Sequence, residues 1–330
     1  MKYCILLFFT ALSVVSFSQS IAILSSGEKT AIRGLAVVND RVIWASGSNG
    51  TVGLSLNGGK TWKWIQVNGF EKTDFRDIEA FDAATAVIMG IGEPAYIMRT
   101  LDAGQTWKVV FENKTPGMFL DAMEFWNEQS GIVIGDPVGQ KFFIARTFDG
   151  GNTWRDIPKK NYPVADSGEA CFASSGTNIR VLTKDEACFI SGGTRSRLFL
   201  RDKKIDLPMA QGKATTGANS MAVKNKKTMI VVGGDFTKAD STNGNCVITH
   251  DGGKTWTAPL QAPHGYRSCI EYVGGNSWIC CGLNGVDYST NDGSTWILVS
   301  NESFHVCRKA RDGKTTFLAG VNGKVGKFIF

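Results

Sequence analysis

Short runs rich in Ile, Val, Phe and Trp recur along this chain, each bounded by Gly, Asn, Asp and Ser. That pattern predicts β-strands joined by tight turns. Its unit is clearest near the start, in runs from Arg33 to Val38, Val42 to Ser46, Thr51 to Leu56 and Trp62 to Gln66. The same four-run layout recurs from Phe75, Phe119, Glu169, Asn219 and Arg267. A further unit starts at Phe304, with runs from Thr316 to Val321 and Lys324 to Phe330, but it lacks a fourth. At the other end Ile21-Ala22-Ile23-Leu24 is an apolar run with no partner in the first unit. Pairing the two ends removes two exposed sheet edges together. The expected architecture is therefore all-β: a seven-bladed β-propeller of four-stranded blades over residues 19–330, closed by the N-terminal strand completing the last blade.

The turn before each fourth run carries a repeated motif, Ser/Thr-x-Asp/Asn-x-Gly-x-Thr-Trp, starting at 55, 100, 147, 249 and 289. The spacing is about 45 residues, with one double gap, and such a period marks one supersecondary unit repeated. In the unit from Glu169 the box is lost, because Arg197 to Asp202 contains neither Gly nor Trp. The acceptors Asn57, Asp102, Asp149, Asp251 and Asn291 suit an Asx-type turn, with backbone N–H groups as donors. Gly59, Gly104, Gly151, Gly253 and Gly293 are expected to supply positive φ, and Trp62, Trp107, Trp154, Trp256 and Trp296 to wedge between sheets. The pattern resembles the Asp-box, or BNR repeat, of sialidases, sortilin-type receptors and the photosystem II stability/assembly factor family. That resemblance implies that the boxes are folding devices, with no catalytic or metal-binding role.

Lys2, the apolar run from Tyr3 to about Val15, and Ser16-Phe17-Ser18 before Gln19 read as a signal peptide over residues 1–18. Export to the periplasm or the outside of the cell is the expectation, and an uncleaved amino-terminal anchor is the alternative. No later run approaches the length of a spanning helix, so the mature chain is expected to carry no transmembrane segment. The formal charge of +6 is mild and interspersed, which favours neither nucleic acid nor a membrane surface as partner. Beyond Cys4 in the expected signal peptide, seven cysteines remain, Cys171, Cys188, Cys246, Cys269, Cys280, Cys281 and Cys307, an odd number that lacks metal-ligand spacing. They are expected to be core thiols, with a disulfide from Cys269 to Cys280 or Cys281 left open by export. There is no GxGxxG after a strand and no CxxC, so neither cofactor nor metal is expected.

The face opposite the boxes collects the starts of the first strands and the turns after the second. Aligned by run, Arg33, Arg76 and Arg267 fall in one position, matched by Leu120, Asn219 and His305, while the turns bring Glu93, Asp136 and Asp235. These seven residues, the three arginines with Glu93, Asp136, Asp235 and His305, are the candidate binding set. Guanidinium groups at a channel mouth suit a carboxylate or phosphate. The alternative is that the arginines pair with Asp77, Glu79, Glu271, Glu93 and Asp136 and only brace the ring. Gly-Gly-x-Thr-Trp and Ile32-Arg33-Gly34-Leu35-Ala36 resemble the photosystem II stability/assembly factor type most. That resemblance implies a non-catalytic assembly factor or scaffold that binds a protein or peptide partner in the cell envelope. The rival readings are a sialidase-like glycoside hydrolase, with Tyr266 and Glu93 beside the arginines, and a carbohydrate-binding propeller whose partner is a glycan. Against the hydrolase, Arg33 is followed by Gly34 and Leu35 where sialidases have Arg-Ile-Pro, sialidases have six blades, and no Tyr–Glu pair is evident by spacing.

Overall fold

A computed structural model describes residues 19–330; the expected signal peptide lies outside the described residues. The inner strands pack one on the next around a closed circle. Ile32–Val37 touches Phe75–Ala80, which is followed by Leu120–Phe125, Ile179–Thr183, Thr216–Val223, Cys269–Gly274 and Val306–Lys309, and this last packs back on Ile32–Val37. Five sheets have four antiparallel strands each; the sixth has eight, two units joined only through the pair Gly192 and Gly217. Divided at that pair, the sheets fit a seven-bladed ring. In the fifth blade the outer strand is reduced to a bridge between Ile248 and Thr257.

Ser20–Ser25 pairs antiparallel with Val325–Ile329, from Ser20 opposite Ile329 to Ser25 opposite Val325, and so forms the outer strand of the last sheet. Ile21 and Leu24 pack on the cluster that holds Phe317 and Phe328. The chain ends therefore meet in one blade, as the unpaired apolar runs predict.

All five boxes fold alike. The Ser or Thr hydroxyl accepts the glycine N–H four residues on, at 2.9–3.1 Å, and donates to the Asp or Asn Oδ1. That Oδ1 in turn accepts the N–H of the Thr four residues beyond it, at 2.9–3.0 Å. In the Asp boxes the Thr hydroxyl donates to Oδ2, whereas in the Asn boxes Nδ2 donates to the Thr hydroxyl, which is why the two residues interchange. These bonds hold Asp102 and Asp251 at about 2. Trp107 and Trp154 lie in the clusters between their own blade and the preceding one, edge-on to Trp44 and Phe125. Asp149→Ala is expected to lower stability by about 1 kcal/mol in urea denaturation, at the low end for charged hydrogen bonds because the carboxylate is exposed. Ligand capture by the folded protein should be untouched, and a selective loss of capture would place a site on the box face.

The blade without a box replaces the Trp wedge with Phe199, stacked on Phe189 at 4.5 Å and edge-on to Phe142. Its first strand begins at Ile179, not at Glu169: Glu169–Ala170 pairs only briefly, with Gly193 and Gly192. The chain between, Cys171 to Asn178, leaves the sheet and plugs the central channel. Ser174 Oγ donates to Asn219 Oδ1 (2.8 Å), Ser175 Oγ donates to the Ser268 carbonyl (2.7 Å), and the Thr177 and Ser220 hydroxyls share a bond. Arg308 holds the Gly176 carbonyl at 3.3 Å. Gly176 sits at φ +64°, and a Cβ there would run into the Asp77 carboxylate. The seven cysteines are all buried free thiols, with Cys269 directly across the strand pair from Cys281.

Candidate ligand-binding site

The first strands of blades one, two, three and five share a bulge at one place. The residue before it pairs with a glycine, the bulged residue is skipped, and pairing resumes; the skipped residues are Arg33, Arg76, Asp121 and Asn219. A bulge re-aims its side chain out of the ladder. Arg33 and Arg76 accordingly open on a cavity of about 420 Å³ at the strand-start face, with Asp136, His305, Tyr266 and Ser268 in its wall.

Arg267 is a correction to the sequence alignment. Tyr266 and Ser268 line the cavity and Arg267, between them, points the other way, because neighbouring strand residues face opposite sides and a one-residue slip reverses the side chain. Arg267 is fully buried: Nε donates to Asp287 Oδ2 at 2.6 Å, and Nη1 donates to the Tyr266 carbonyl and Asn284 Oδ1. Leu120 is out of place in the same way, and Asp121 holds the position matching Arg33. The brace reading therefore applies to Arg267, although its carboxylate, Asp287, is not among those expected.

Glu93 and Asp235 are also absent from the cavity wall. Glu93 accepts the Gly117 N–H at 2.5 Å, and Asp235 caps its own turn through the Thr237 N–H (3.0 Å) and hydroxyl (2.6 Å). Of the seven candidates, the structure brings together Arg33, Arg76, Asp136 and His305.

The four are not equivalent electrostatically. Asp74 takes two nitrogens of Arg76, at 2.9 and 2.8 Å, and Nη1 of Arg76 holds the Ala173 carbonyl of the plug at 3.3 Å. Arg33 makes one hydrogen bond, from Nη1 to the Ser174 carbonyl at 3.2 Å, and no carboxylate lies within 4.0 Å of it among the described residues. Burial and the charge of Arg76 lower its pKa from the usual value. Burial and Arg33 push His305 down to about 4, so it is neutral near pH 7, and its Nδ1 lies 3.1 Å from the Ile32 carbonyl. Asp136, pushed up to about 6 by burial, accepts the Cys171 N–H at 2.8 Å. Behind it Asp121 is fully buried with neither carboxyl oxygen hydrogen-bonded to the protein, and burial with the nearby Asp136 drives its pKa well above the carboxylate range. The chamber thus holds an open guanidinium beside acids that take up protons readily.

Sequence reasoning missed the apolar wall. Phe172, Phe236 and Tyr266 form an edge-on series at 6.1 and 6.3 Å, with Phe119 and Leu283 completing it. Phe172 comes from the plug, so no blade alignment would have found it.

Residues 247–258 match the family described as BNR/Asp-box repeat. The repeated turn is the Asp-box. The other four boxes carry the same hydrogen bonds as the matched one. No curated protein matches the sequence. Among solved structures, this Asp-box propeller is similar to one described as YCF48 bound to D1 peptide, with TM-score 0.68 and 16% identity over 96% of this chain and 99% of that one. YCF48 from Cyanidioschyzon merolae matches with TM-score 0.68 and 14% identity, over 94% and 98% of the two chains. The WD40 propeller domain of Doa1 matches with TM-score 0.61 and 14% identity, over 93% and 95%. At these identities the likeness is one of fold.

Proposed function

We propose that this protein is an exported, non-catalytic binding propeller that captures an acidic segment or terminal carboxylate of a partner polypeptide in the cell envelope. The observation that carries the reading is Arg33, a largely buried guanidinium in the wall of an open chamber with one hydrogen bond and, among the described residues, no ion-pair partner. A buried cation left unpaired is costly, and an incoming carboxylate would supply the missing charge and up to two parallel hydrogen bonds. The apolar series from Phe172 to Tyr266 would hold a hydrophobic side chain next to that carboxylate. The similar fold described as bound to D1 peptide supports a peptide as occupant.

Hydrolysis of a glycoside by the sialidase route has less support, because it needs a nucleophilic Tyr next to a Glu. Tyr266 is buried, pushed up to about 12, and bonded to Asn219 at 2.8 Å with no carboxylate partner. Fluorescence anisotropy with acidic envelope peptides, each compared with its C-terminal amide, tests the proposal. Arg33→Gln should weaken capture roughly tenfold to a hundredfold, the worth of one charge-assisted contact, while the melting temperature stays close to that of the parent. Unchanged capture by a folded Arg33→Gln protein would reject the site, and turnover of a fluorogenic sialoside would replace the binding reading with the enzymatic one.

A further inference from the structure

The plug closes off a second chamber on the box face, a cavity of about 490 Å³ that takes no part in the site above. Its wall sets Glu79, Glu124 and Glu271 against Arg180, Arg308 and Arg311, with the exposed Glu128 and the half-buried Lys309 also lining it. Most of these charges are already spent. Arg180 Nη1 donates to Glu124 Oε2 at 2.9 Å and to the Ile179 carbonyl at 3.1 Å, and Arg311 donates to the Ala80 and Phe81 carbonyls at 3.1 and 3.0 Å. Two things are left over. Arg180 is 8% exposed, and its Nη2 is buried with no hydrogen-bond partner, 3.9 Å from Glu271 Oε2; Arg308 Nη1 stands 3.7 Å from the same oxygen. Contacts of that length are too long for hydrogen bonds, so both nitrogens keep a donor to offer. The second leftover is Glu79, whose side chain, unlike those of Glu124 and Glu271, has neither a hydrogen bond nor an ion pair among the described residues. Burial and the nearby Asp77 and Glu124 outweigh Arg308 and Arg311 and push it up to about 8, so near pH 7 it holds a proton that an incoming cation would displace.

An anion alone would satisfy Arg180 and leave Glu79 with no partner for its side chain. A cation alone would satisfy Glu79 and leave the buried guanidinium nitrogen bare. We propose that the box-face chamber binds a small zwitterion of the α-amino-acid type, its carboxylate accepting from Arg180 Nη2 and Arg308 Nη1 and its ammonium donating to Glu79. The volume fits a small molecule. Phe81, Phe125 and Trp126 in the same wall provide apolar surface for a side chain. The plug seals the inner end, and the two chambers share no lining residue, so this site is independent of the arginine chamber.

Isothermal calorimetry of the mature protein against the common free L-amino acids at millimolar concentration tests this, with the N-acetyl and carboxamide derivatives of each binder as controls. At least one amino acid should give saturable binding. Acetylation removes the ammonium and amidation removes the carboxylate, so each should weaken binding roughly tenfold or more. Glu79→Gln should weaken the parent amino acid to a similar degree while leaving capture of acidic peptides on the opposite face unchanged. The proposal is overturned if no free amino acid binds, or if either derivative binds as tightly as its parent. The derivative arm uses the unmodified protein, so it decides the matter even if Glu79→Gln fails to fold.

Discussion

Deleting residues 19–26 is expected to unfold the whole ring and not merely to trim an edge. The deletion removes the ladder from Ser20–Ile329 to Ser25–Val325 and withdraws Ile21 and Leu24 from the cluster around Phe317 and Phe328. Leu24 also sits against Gly59, so the first blade's box loses the surface on which it docks. Both the last sheet and the seam between last and first blades would then be open, and strand edges left unpaired favour association with other chains. Calorimetry should show the melting temperature lowered by at least roughly 10 °C, or no cooperative transition at all. A truncated protein that melts with the parent would show that the ends do not close the ring.

Arg267→Ala should be nearly as damaging. Asp287 is fully buried and takes its strongest contacts from Arg267, with His264 Nδ1 at 2.7 Å as the other side-chain partner. Removing the guanidinium leaves a buried carboxylate without its cation, a change that costs about 3–5 kcal/mol. Denaturant titration measures it. Replacing Arg267 and Asp287 together by Leu should recover much of the loss, since a buried ion pair exchanged for apolar residues is often neutral. If Arg267→Ala instead leaves stability intact and abolishes peptide capture, the arginine belongs to the binding site after all.

That contrast between Arg267 and Arg33 shows how far the sequence could be read. The boxes were legible because they are local: eight consecutive residues contain the donor, the acceptor, the positive-φ glycine and the wedge. Ring closure was legible because two apolar runs each lacked a partner. The arginine alignment failed on a one-residue slip, which reverses the side a residue faces without changing its neighbours in the chain. The plug was harder still. Ser174-Ser175-Gly176-Thr177 reads as an ordinary polar turn, and only its bonds to Asn219, Ser220, Ser268 and Arg308, on blades distant in sequence, make burial affordable. With the plug unrecognised, Phe172 and the division of the channel into two chambers had no counterpart in the sequence.

A ring of blades built on one repeated plan offers a docking partner several similar azimuths. The segment from Cys171 to Asn178 enters the hub from one blade alone, bringing Phe172 to one side of the arginine chamber and the Ala173 and Ser174 carbonyls to Arg76 and Arg33. The rotational degeneracy is broken at the axis itself, where a bound chain would otherwise have least to orient it. A polypeptide bound in the proposed site would therefore leave the rim in one fixed direction.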